Sequence, residues 1–417
     1  MNPRPSHLDV FFGEEHVGSV HDTSPLTFEY TESWLGRGES MPLAMVPLAS
    51  GRHSENAVQA FFENLLPEGE LRHYIAEQKK SSTLFSLLLE VAGDTAGGFV
   101  LLPAGQTPTA PSYQATTWRD LRTMLERKSA AAIDIRGRGA RISLAGAQDK
   151  AAIAIFDNHI PMLPLGTSPS THILKPDIRR LAKVWDSAAN EAFVMLTARH
   201  CGIPTAEVFY EPTTRSCVVK RFDRIATQGN RLARLVQYDM CQLHSTISEK
   251  KYEKEGGPGI EICATLIRKY SAQPAVDLRH LLNWIFFNLY TGNNDSHAKN
   301  LSILGRPEEG TRLAPLYDLM CTRIYPGLSQ EFALSIGGES EPGRIDATHI
   351  RTMAEQLNIK PGFVLDRAQV IAKKLPGALN VALDELRPVL APGSQTLVER
   401  VHRFILRTTD KIAKRLR

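Results

Sequence analysis

Cysteine is scarce in this sequence of 417 residues, and no two cysteines stand close together. There are five, with no C-x-x-C pair among them: Cys201, Cys217, Cys241, Cys263 and Cys321. An odd and scattered set argues against a disulfide framework or a C-x-x-C redox site. It is typical of reduced thiols, so we expect a cytoplasmic protein.

Long apolar runs and an excess of one charge are also missing. No stretch approaches ~18 consecutive apolar residues, which excludes a membrane-spanning helix. The N-terminal MNPRPSHLDVFFGEEH has no apolar core of signal-peptide length. Basic residues outnumber acidic ones by only 49 to 45, so bulk charge gives no argument for nucleic-acid binding. We expect no membrane partner.

Two common site signatures are absent as well. The 13 histidines include no H-E-x-x-H and no cluster with cysteine, which argues against a zinc site. No G-x-S-x-G marks a hydrolase nucleophile. The composition itself, with 42% hydrophobic and 23% charged residues, is ordinary for a soluble globular chain. It excludes a disordered chain, a collagen-like repeat and a coiled-coil rod.

The pattern of apolar residues divides the chain into a small first module and a larger second region. In the module, strand patterns at 8–12 and 26–30 precede helical patterns at 57–66, 70–78 and 83–92. The segment TPTAPS at 107–112 has few bulky apolar residues and two prolines, so we place a domain boundary there. The larger region has strand patterns first and helical patterns afterwards. The strand patterns lie at 151–156, 172–175 and 216–222, and the helical ones at 187–200, 278–290, 349–356, 361–374 and 395–415.

This order predicts an α+β fold. We expect a small N-terminal α/β module, followed by a bilobal protein-kinase-like domain with a mainly helical C-terminal lobe. The predicted bounds are 1–106 for the module, 107–140 for a linker and approach, 141–224 for the N-terminal lobe and 225–417 for the C-terminal lobe.

A polar loop follows the apolar helical pattern at 278–290. It contains Asp295 and Asn300, five residues apart. In kinase catalytic loops of this spacing, the aspartate accepts a hydroxyl proton and the asparagine holds a metal ion. Asp318 comes 18 residues after Asn300, where such enzymes place a second metal-binding carboxylate. Taken alone, a D-x-x-x-x-N pair is also typical of a plain surface loop, and that alternative stays open here.

Upstream, a lysine and a glutamate precede this loop in the order that kinases use. Lys175 ends a short strand pattern, and Glu191 lies 16 residues later in the helix predicted at 187–200. A strand lysine held by a helix glutamate would fix the α- and β-phosphates of a nucleotide. Each residue alone is as well explained by a strand-edge charge or a solvated helix face.

Two further segments have kinase-like features. Residues 142–150, ISLAGAQDK, have small side chains where a phosphate-cradling loop needs close backbone approach, although they match no standard phosphate-loop motif. Residues 218–224, VVKRFDR, form an apolar strand that turns polar abruptly, as a hinge that binds adenine through its backbone would. A plain hairpin turn and an ordinary strand end remain the alternatives.

Together, these motifs resemble the HipA serine/threonine kinase toxins of bacterial toxin–antitoxin modules, along nearly the whole chain. In the first module the resemblance rests on NLLPE at 64–68 and on the helical segment 84–93. In the second region it rests on 143–150, 171–175, 190–191, 221–224, 239–242, 256–260, 295–300 and 317–318.

The resemblance implies a role for each matching residue. Asp295 is similar to the catalytic base, and Asn300 and Asp318 to the ligands of Mg²⁺. Glu191 is similar to the ion-pair partner of the phosphate-binding lysine. Ser143 is similar to the serine whose autophosphorylation ejects the nucleotide loop and silences such kinases. The implied ATP contacts are Ala145, Gly146, Ala147, Gln148, Asp149, Lys150, Lys175, Lys220, Arg221, Phe222, His297, Ala298, Lys299, Asn300, Tyr317 and Asp318.

Two departures from the family pattern stand in this sequence. Asn294-Asp295-Ser296 replaces the more usual T-D-G, so the turn after the base lacks its glycine. Lys220 stands where an acidic residue is common. A hinge that is read through backbone groups would tolerate that change.

The function implied by the resemblance is transfer of the ATP γ-phosphoryl group to a protein serine, with Mg²⁺ as cofactor. The implied target is an aminoacyl-tRNA synthetase, glutamyl-tRNA synthetase first, whose loss of activity would arrest growth and favour persistence. The implied partner is a dimer of a helix-turn-helix, HipB-like antitoxin, with DNA contacted through the antitoxin. Two alternatives are a kinase-fold enzyme acting on a small molecule or lipid, and a catalytically inactive co-repressor scaffold.

Overall fold

The computed structural model describes residues 5–38, 41–68, 72, 76–77, 83–91, 93–127, 150–156, 159–179, 181–227 and 231–417. The chain divides into two compact units. The first comprises Met1–Leu174, Arg221–Lys250 and Leu304–Arg306, and the second comprises Lys175–Lys220, Lys251–Ile303 and Pro307–Arg417. The chain therefore passes between the units several times.

The described residues form strands and helices that are numbered here in chain order. The strands are β1 (His7–Phe12), β2 (Glu15–His21), β3 (Thr27–Tyr30), β4 (Arg52–His53), β5 (Phe99–Pro103), β6 (Ser112–Ala115), β7 (Ala151–Ile155), β8 (Pro161–Leu165), β9 (His172–Pro176), β10 (Val208–Glu211), β11 (Ser216–Lys220), β12 (Arg224–Thr227), β13 (Arg231–Arg234), β14 (Gln237–Asp239), β15 (Ser302–Arg306) and β16 (Gly310–Leu313). The α-helices are α1 (Glu32–Leu35), α2 (Asn56–Glu63), α3 (Leu84–Val91), α4 (Trp118–Arg127), α5 (Ser187–His200), α6 (Met240–Leu243), α7 (Ile260–Tyr270), α8 (Pro274–Thr291), α9 (Ala347–Gln356), α10 (Pro361–Leu386) and α11 (Pro392–Arg415).

The N-terminal part of the first unit is an antiparallel sheet in the order β4-β3-β2-β1-β5. Its apolar face is closed by aromatic side chains that are fully buried, among them Phe28, Phe61, Phe62 and Phe99. Phe61 and Phe62 come from α2, and their rings contact Phe99 and Phe28 edge-on or tilted, at 5.7 and 5.8 Å between centroids. Helix α2 is therefore fixed against this sheet by aromatic packing.

Strands β6, β8, β7 and β9 follow one another in a second antiparallel arrangement. Strand β6 and helix α4 lie within 107–140, the segment expected to be a linker. No local pattern indicated β6, because three of its four residues are exposed, as is usual for an edge strand. Ser112 is held by a backbone N–H bond of 2.8 Å to the Ser168 hydroxyl, and the Tyr113 hydroxyl donates to the Pro169 carbonyl at 3.0 Å.

The second unit is mainly helical. Helix α5 is buried on all sides from Ser187 to Ala198, and α8 buries Trp284, Phe286, Phe287 and Tyr290 completely. The buried length of α5 and the buried second half of α8 therefore lie inside the unit. Helix α10 packs against α5, α8, α9 and α11. Helix α5 contains Glu191, and the loop with Asp295 begins where α8 ends.

Helix α10 is much longer than predicted. The pattern Leu375-Pro376-Gly377 indicated a stop near Lys374, but α10 continues through Pro376 to Leu386. Proline removes one backbone hydrogen bond, which costs about 3 kcal/mol in a helix interior. The buried residues Leu375, Ala378 and Leu379 hold the second half of the helix in place. The predicted end was wrong because tertiary packing outweighs local propensity.

Among the described residues, no helix has both the length and the apolar character needed to cross a membrane. The helical pattern predicted at 70–78 and the glycine-rich stretch at 136–141 lie wholly or mostly outside the described residues.

Candidate active site

The polar loop that contains Asp295 begins where α8 ends. Gly292 closes the helix with φ +69°, a left-handed conformation that glycine adopts without strain. A Cβ at this position would lie 2.8 Å from a ring carbon of Phe404 and 3.2 Å from Cβ of Arg323. Both the backbone conformation and the close packing therefore require glycine at the entry to the loop.

The loop buries its polar residues and exposes the predicted base. Every residue from 291 to 301 is buried except Asp295, which is exposed. The Asn293 side-chain amide donates to Asn288 Oδ1 at 2.9 Å, and the Asn294 backbone N–H donates to the Thr322 hydroxyl at 2.8 Å. These bonds make the loop rigid, and a rigid loop holds one accessible carboxylate in a fixed place.

The five-residue spacing brings Asn300 back onto Asp295. The Asn300 side-chain N–H donates to the backbone carbonyl of Asp295 at 3.0 Å. This bond orients the amide of Asn300, so that its nitrogen faces the loop and its Oδ1 is the atom left to act as a ligand. His297, Ala298 and Lys299 lie between the two residues and are buried in a short 3₁₀ turn.

Asp295, the predicted base, has a hydrogen-bond partner that no motif indicated. The Tyr252 hydroxyl donates to Asp295 Oδ1 at 2.5 Å, across 43 residues of sequence. The Tyr252 ring also stands edge-on to His297, with 5.2 Å between centroids. Tyr252 lies in a glycine-rich loop of mixed charge, and no local pattern indicated that it contacts Asp295.

Lys175 is held by two carboxylates. Its Nζ lies 2.6 Å from Glu191 Oε1 and 2.7 Å from Asp318 Oδ1. The Lys175 and Glu191 side chains are only 9% and 2% exposed, whereas that of Asp318 is 41% exposed. Burial alone would lower the pKa of Lys175, but Asp318 and Glu191 outweigh it and raise that pKa. Lys175 is therefore a fixed positive charge beside an accessible carboxylate.

The two residues before Asp318 are held by hydrogen bonds. Leu316 exchanges backbone bonds of 2.9 and 2.8 Å with Pro204 and Ala206, and the Tyr317 hydroxyl donates to the Lys299 carbonyl at 2.7 Å. Asp318 itself has φ +58°, which is uncommon for a residue other than glycine. Strained backbone of this kind is found preferentially at functional sites, where the surrounding structure maintains it.

The predicted hinge residues have different surroundings. The backbone N–H groups of Lys220 and Arg221 donate to the carbonyls of Glu207 and Thr171, both at 2.8 Å. These two N–H groups are therefore not available to bind adenine. The Lys220 side chain pairs with Glu207 at the surface. Arg221 is 5% exposed and its guanidinium faces inward, whereas Phe222 is partly exposed. A nucleotide contact by Arg221 would therefore have to use its backbone carbonyl group.

The nucleotide loop falls mostly outside the described residues. Ser143 and residues 145–149 belong to that part of the chain. Lys150 is described and lies partly buried at the start of β7.

A magnesium site would use oxygen atoms of Asp318 and Asn300. Within the described part of the chain, no three histidine, cysteine, aspartate or glutamate side chains form a metal-binding group. Kinase Mg²⁺ needs no such cage, because it keeps several waters and binds one or two protein oxygens together with substrate phosphates. A carboxylate and an amide oxygen fit that requirement. Asp318 is paired with Lys175 in this structure. A metal ion and the phosphates would have to displace that contact.

Known proteins resemble this chain along nearly its whole length. The HipA-like C-terminal domain matches residues 142–379, and the HipA N-terminal domain matches residues 8–102. A putative kinase of Sinorhizobium fredii, Y4mE, is 35% identical over 91% of this chain and 94% of its own length. The serine/threonine-protein kinase toxin HipA of Shewanella oneidensis is 27% identical over 92% of this chain and 90% of its own.

A solved structure is similar along the whole chain. HipA of Shewanella oneidensis MR-1, determined with HipB and its operator DNA, covers 98% of this chain with 97% of its own. The TM-score is 0.84 at 26% sequence identity. The α+β fold predicted from the sequence, with its helical C-terminal region, is therefore confirmed.

Proposed function

Since the chain belongs to the HipA family and is a serine/threonine protein kinase of the toxin–antitoxin type, we propose that Asp295 is its catalytic base. The observation that carries this proposal is the exposure of Asp295 on a loop whose other residues are buried. A base must be rigidly held and yet accessible to the substrate hydroxyl. As the serine oxygen bonds to the γ-phosphorus, the bond to the β–γ bridging oxygen breaks, ADP leaves, and the hydroxyl proton passes to Asp295.

The ATP phosphates are bound by Lys175, which Glu191 orients through the ion pair of 2.6 Å. We assign phosphate contacts to residues 145–150, with further contacts from residues 297–299 and Tyr317. Adenine would be bound by the backbone of 220–222, through carbonyl groups at Lys220 and Arg221 because their N–H groups are paired. Asn300 and Asp318 would hold Mg²⁺. When bound, this ion neutralises charge on the transferred phosphoryl group.

The protein acceptor is an aminoacyl-tRNA synthetase, with glutamyl-tRNA synthetase as the first candidate. This assignment rests on the family resemblance alone. The proposed division of the chain for substrate and nucleotide binding stays as predicted. It consists of a module over residues 1–106, a linker at 107–140 and lobes at 141–224 and 225–417.

The partner is a dimeric helix-turn-helix antitoxin that carries the kinase on operator DNA. The support is the Shewanella oneidensis structure, which contains HipB and operator DNA together with HipA.

The proposal is tested by Asp295→Asn, which keeps the shape of the side chain but cannot accept a proton. We expect phosphoryl transfer from ATP to glutamyl-tRNA synthetase to fall by about 10²–10⁴-fold, because that is the usual contribution of a general base. ATP affinity, measured by calorimetry, should remain. Asp410→Asn is the control, since it removes an exposed carboxylate that pairs with Lys414 on α11. Wild-type transfer by Asp295→Asn would refute the assignment.

The same preparations distinguish the alternatives. A wild-type protein that phosphorylates lipids or small alcohols but no synthetase would be a different phosphotransferase. One that binds no ATP would be a scaffold. Mass spectrometry of Ser143 completes the experiment. We expect phosphate on Ser143 in the wild type and none in Asp295→Asn, because autophosphorylation needs the same base.

A further inference from the structure

A second group of charged residues is buried in the first unit. It consists of Asp94, Arg221, Asp223, Arg224 and Arg234, and we name it the hinge cluster. Asp94, Arg221, Asp223 and Arg224 are 1%, 5%, 3% and 7% exposed. Burying this many charges is unfavourable unless each is paired, so the contacts within the cluster are closely specified.

Asp94 is the centre of the hinge cluster. Its Oδ1 accepts a bond of 2.8 Å from Arg224, and its Oδ2 accepts bonds of 2.6 and 3.0 Å from the hydroxyl and the backbone N–H of Ser170. Arg221 and Arg234 each approach the carboxylate to 3.4 Å. Although burial acts to raise the pKa of Asp94, these arginines hold it well below its usual range. Asp94 is therefore charged in the folded protein.

The cluster contains more positive than negative charge. Three arginines face two aspartates, and burial together with the neighbouring Arg221 lowers the pKa of Arg224 to about 10. Loss of the Asp94 charge would leave Asp223 alone against the buried guanidinium groups of Arg221 and Arg224 and the partly buried one of Arg234. Such an uncompensated buried charge is strongly unfavourable.

Arg221 and Asp223 lie directly at the proposed hinge. Arg221 forms a bidentate pair with Asp223 at 2.9 and 2.7 Å and donates to the Thr95 carbonyl at 2.7 Å. The Gly97 N–H donates to Asp223 Oδ2 at 2.8 Å. Both residues next to Phe222 are thus bound to the turn at 94–97. That turn lies within the part of the chain that matches the HipA N-terminal domain.

We propose that Asp94 is a positioning residue for nucleotide binding, because it fixes the backbone path of residues 221–223 through Arg221 and Arg224. The proposal rests on the proposed function, in which residues 220–222 bind the adenine. The N-terminal module would then be a part of the nucleotide site in addition to any role in docking. A displacement of the hinge by a fraction of an ångström would weaken adenine binding without moving the base at Asp295.

The test compares Asp94→Asn with a matched control elsewhere in the chain. Asp277 is fully buried in the second unit and has a similar set of partners. It accepts two bonds from Arg312, at 2.8 and 3.1 Å, one of 2.6 Å from the Ser271 hydroxyl and one of 2.8 Å from a backbone N–H. Asp277→Asn removes the same charge from the same kind of site, away from the hinge residues. The two variants should lose comparable stability.

We expect Asp94→Asn to raise KM for ATP about tenfold, with kcat within about twofold of wild type, since a tenfold loss of affinity corresponds to about one hydrogen bond to the adenine. Asp277→Asn should leave KM for ATP unchanged. The double variant Asp94→Asn/Arg234→Gln restores the original charge surplus and should recover most of the affinity. That rescue distinguishes positioning by charge from a general loss of packing.

Equal KM changes in Asp94→Asn and Asp277→Asn, or none in either, would overturn the proposal. If Asp94→Asn does not fold, Ser170→Ala removes one hydrogen bond from Asp94 without changing charge, and a smaller rise in KM is expected. ATP affinity is also measured by calorimetry in the Asp295→Asn background. Binding that responds to Asp94→Asn there supports the hinge cluster even if Asp295 proves not to be the base.

Discussion

At the scale of single residues, the site is organised by contacts that bridge distant parts of the sequence. Lys175 bridges Glu191 and Asp318, so one buried ammonium orients two carboxylates that have different proposed roles. One ammonium that faces two carboxylates leaves one negative charge uncompensated, so the accessible carboxylate of Asp318 can attract a cation. Phosphates and a cation that arrive together would compete for the contact between Lys175 and Asp318.

Tyr252 forms a similar long-range contact with Asp295, the proposed base. Its hydroxyl occupies Asp295 Oδ1, an oxygen that a substrate serine would use as its acceptor. A hydrogen bond to a charged group contributes about 1.5–3 kcal/mol, so the phenol competes with the substrate. We expect Tyr252→Phe to lower KM for the protein substrate by up to about tenfold, with ATP affinity unchanged. Steady-state kinetics with varied synthetase concentration measures this.

Tyr270→Phe is the control for that experiment, since Tyr270 contacts Lys269 on α7 and lies outside the catalytic loop. A fall in kcat of Tyr252→Phe with KM unchanged would mean that the phenol orients Asp295 and does not compete for it. The competition argument would then be wrong.

At the scale of elements, a glycine pair shows how a turn is fitted to a helix. Gly337 and Gly338 have φ +58° and +87° and join Ile336 to Glu339, which exchange backbone bonds of 2.9 and 3.2 Å. Two left-handed residues in succession make the turn that closes a tight hairpin. A Cβ on Gly337 would lie 2.1 Å from the His349 carbonyl oxygen in α9, whereas one on Gly338 meets nothing within 4 Å.

This difference predicts unequal effects of the same substitution. Gly338→Ala should destabilise the protein by roughly 1 kcal/mol, which is the strain of a left-handed alanine. Gly337→Ala adds a backbone collision, so we expect a loss of about 3 kcal/mol or more. Urea unfolding of both variants measures the difference. Equal losses would show that the turn moves away from α9 without resistance.

The elements that the sequence predicts well are those with long apolar patterns. Helix α5 is confirmed at Ser187–His200, and α8 extends the pattern at 278–290 to Pro274 at its start and to Thr291 at its end. Strand β9 ends one residue after Lys175, as its pattern indicates. Strand β6 was missed because an exposed edge strand has no apolar alternation to detect.

The residues of the candidate site also divide into those with a local sequence pattern and those without one. Asp295, Asn300 and Asp318 could be predicted as site residues because kinase chemistry fixes their spacing along the chain, and their roles stay a prediction. Tyr252 and Asp94 act on residues 43 and 127 positions away, as the separations of Tyr252 from Asp295 and of Asp94 from Arg221 show. Nothing in a local pattern reports such contacts. Only the folded chain brings them together.

At the scale of the whole molecule, each unit contains a buried aspartate whose charge is maintained by arginine. Asp94 lies in the first unit and Asp277 in the second. Burial acts to raise the pKa of each carboxyl, but the arginines and hydrogen-bond donors around it lower that pKa below its ordinary value of 3.8. Both units are therefore sensitive to acid at a buried site.

The sign of this effect decides the last prediction. In the unfolded chain, Asp94 takes up a proton near pH 3.8, whereas the folded form holds the proton only at lower pH. The stabilisation is thus complete well above pH 4 and is lost as the pH falls toward the folded pKa, by about 1.4 kcal/mol for each pH unit. Asp94→Asn should be less stable than wild type at pH 7, but its free energy of unfolding should fall less between pH 5 and pH 3. Urea unfolding at several pH values checks this, with Asp384→Asn as a control because that carboxylate is exposed on α10. An equally steep fall in Asp94→Asn and wild type would show that the acid sensitivity arises at other carboxyl groups.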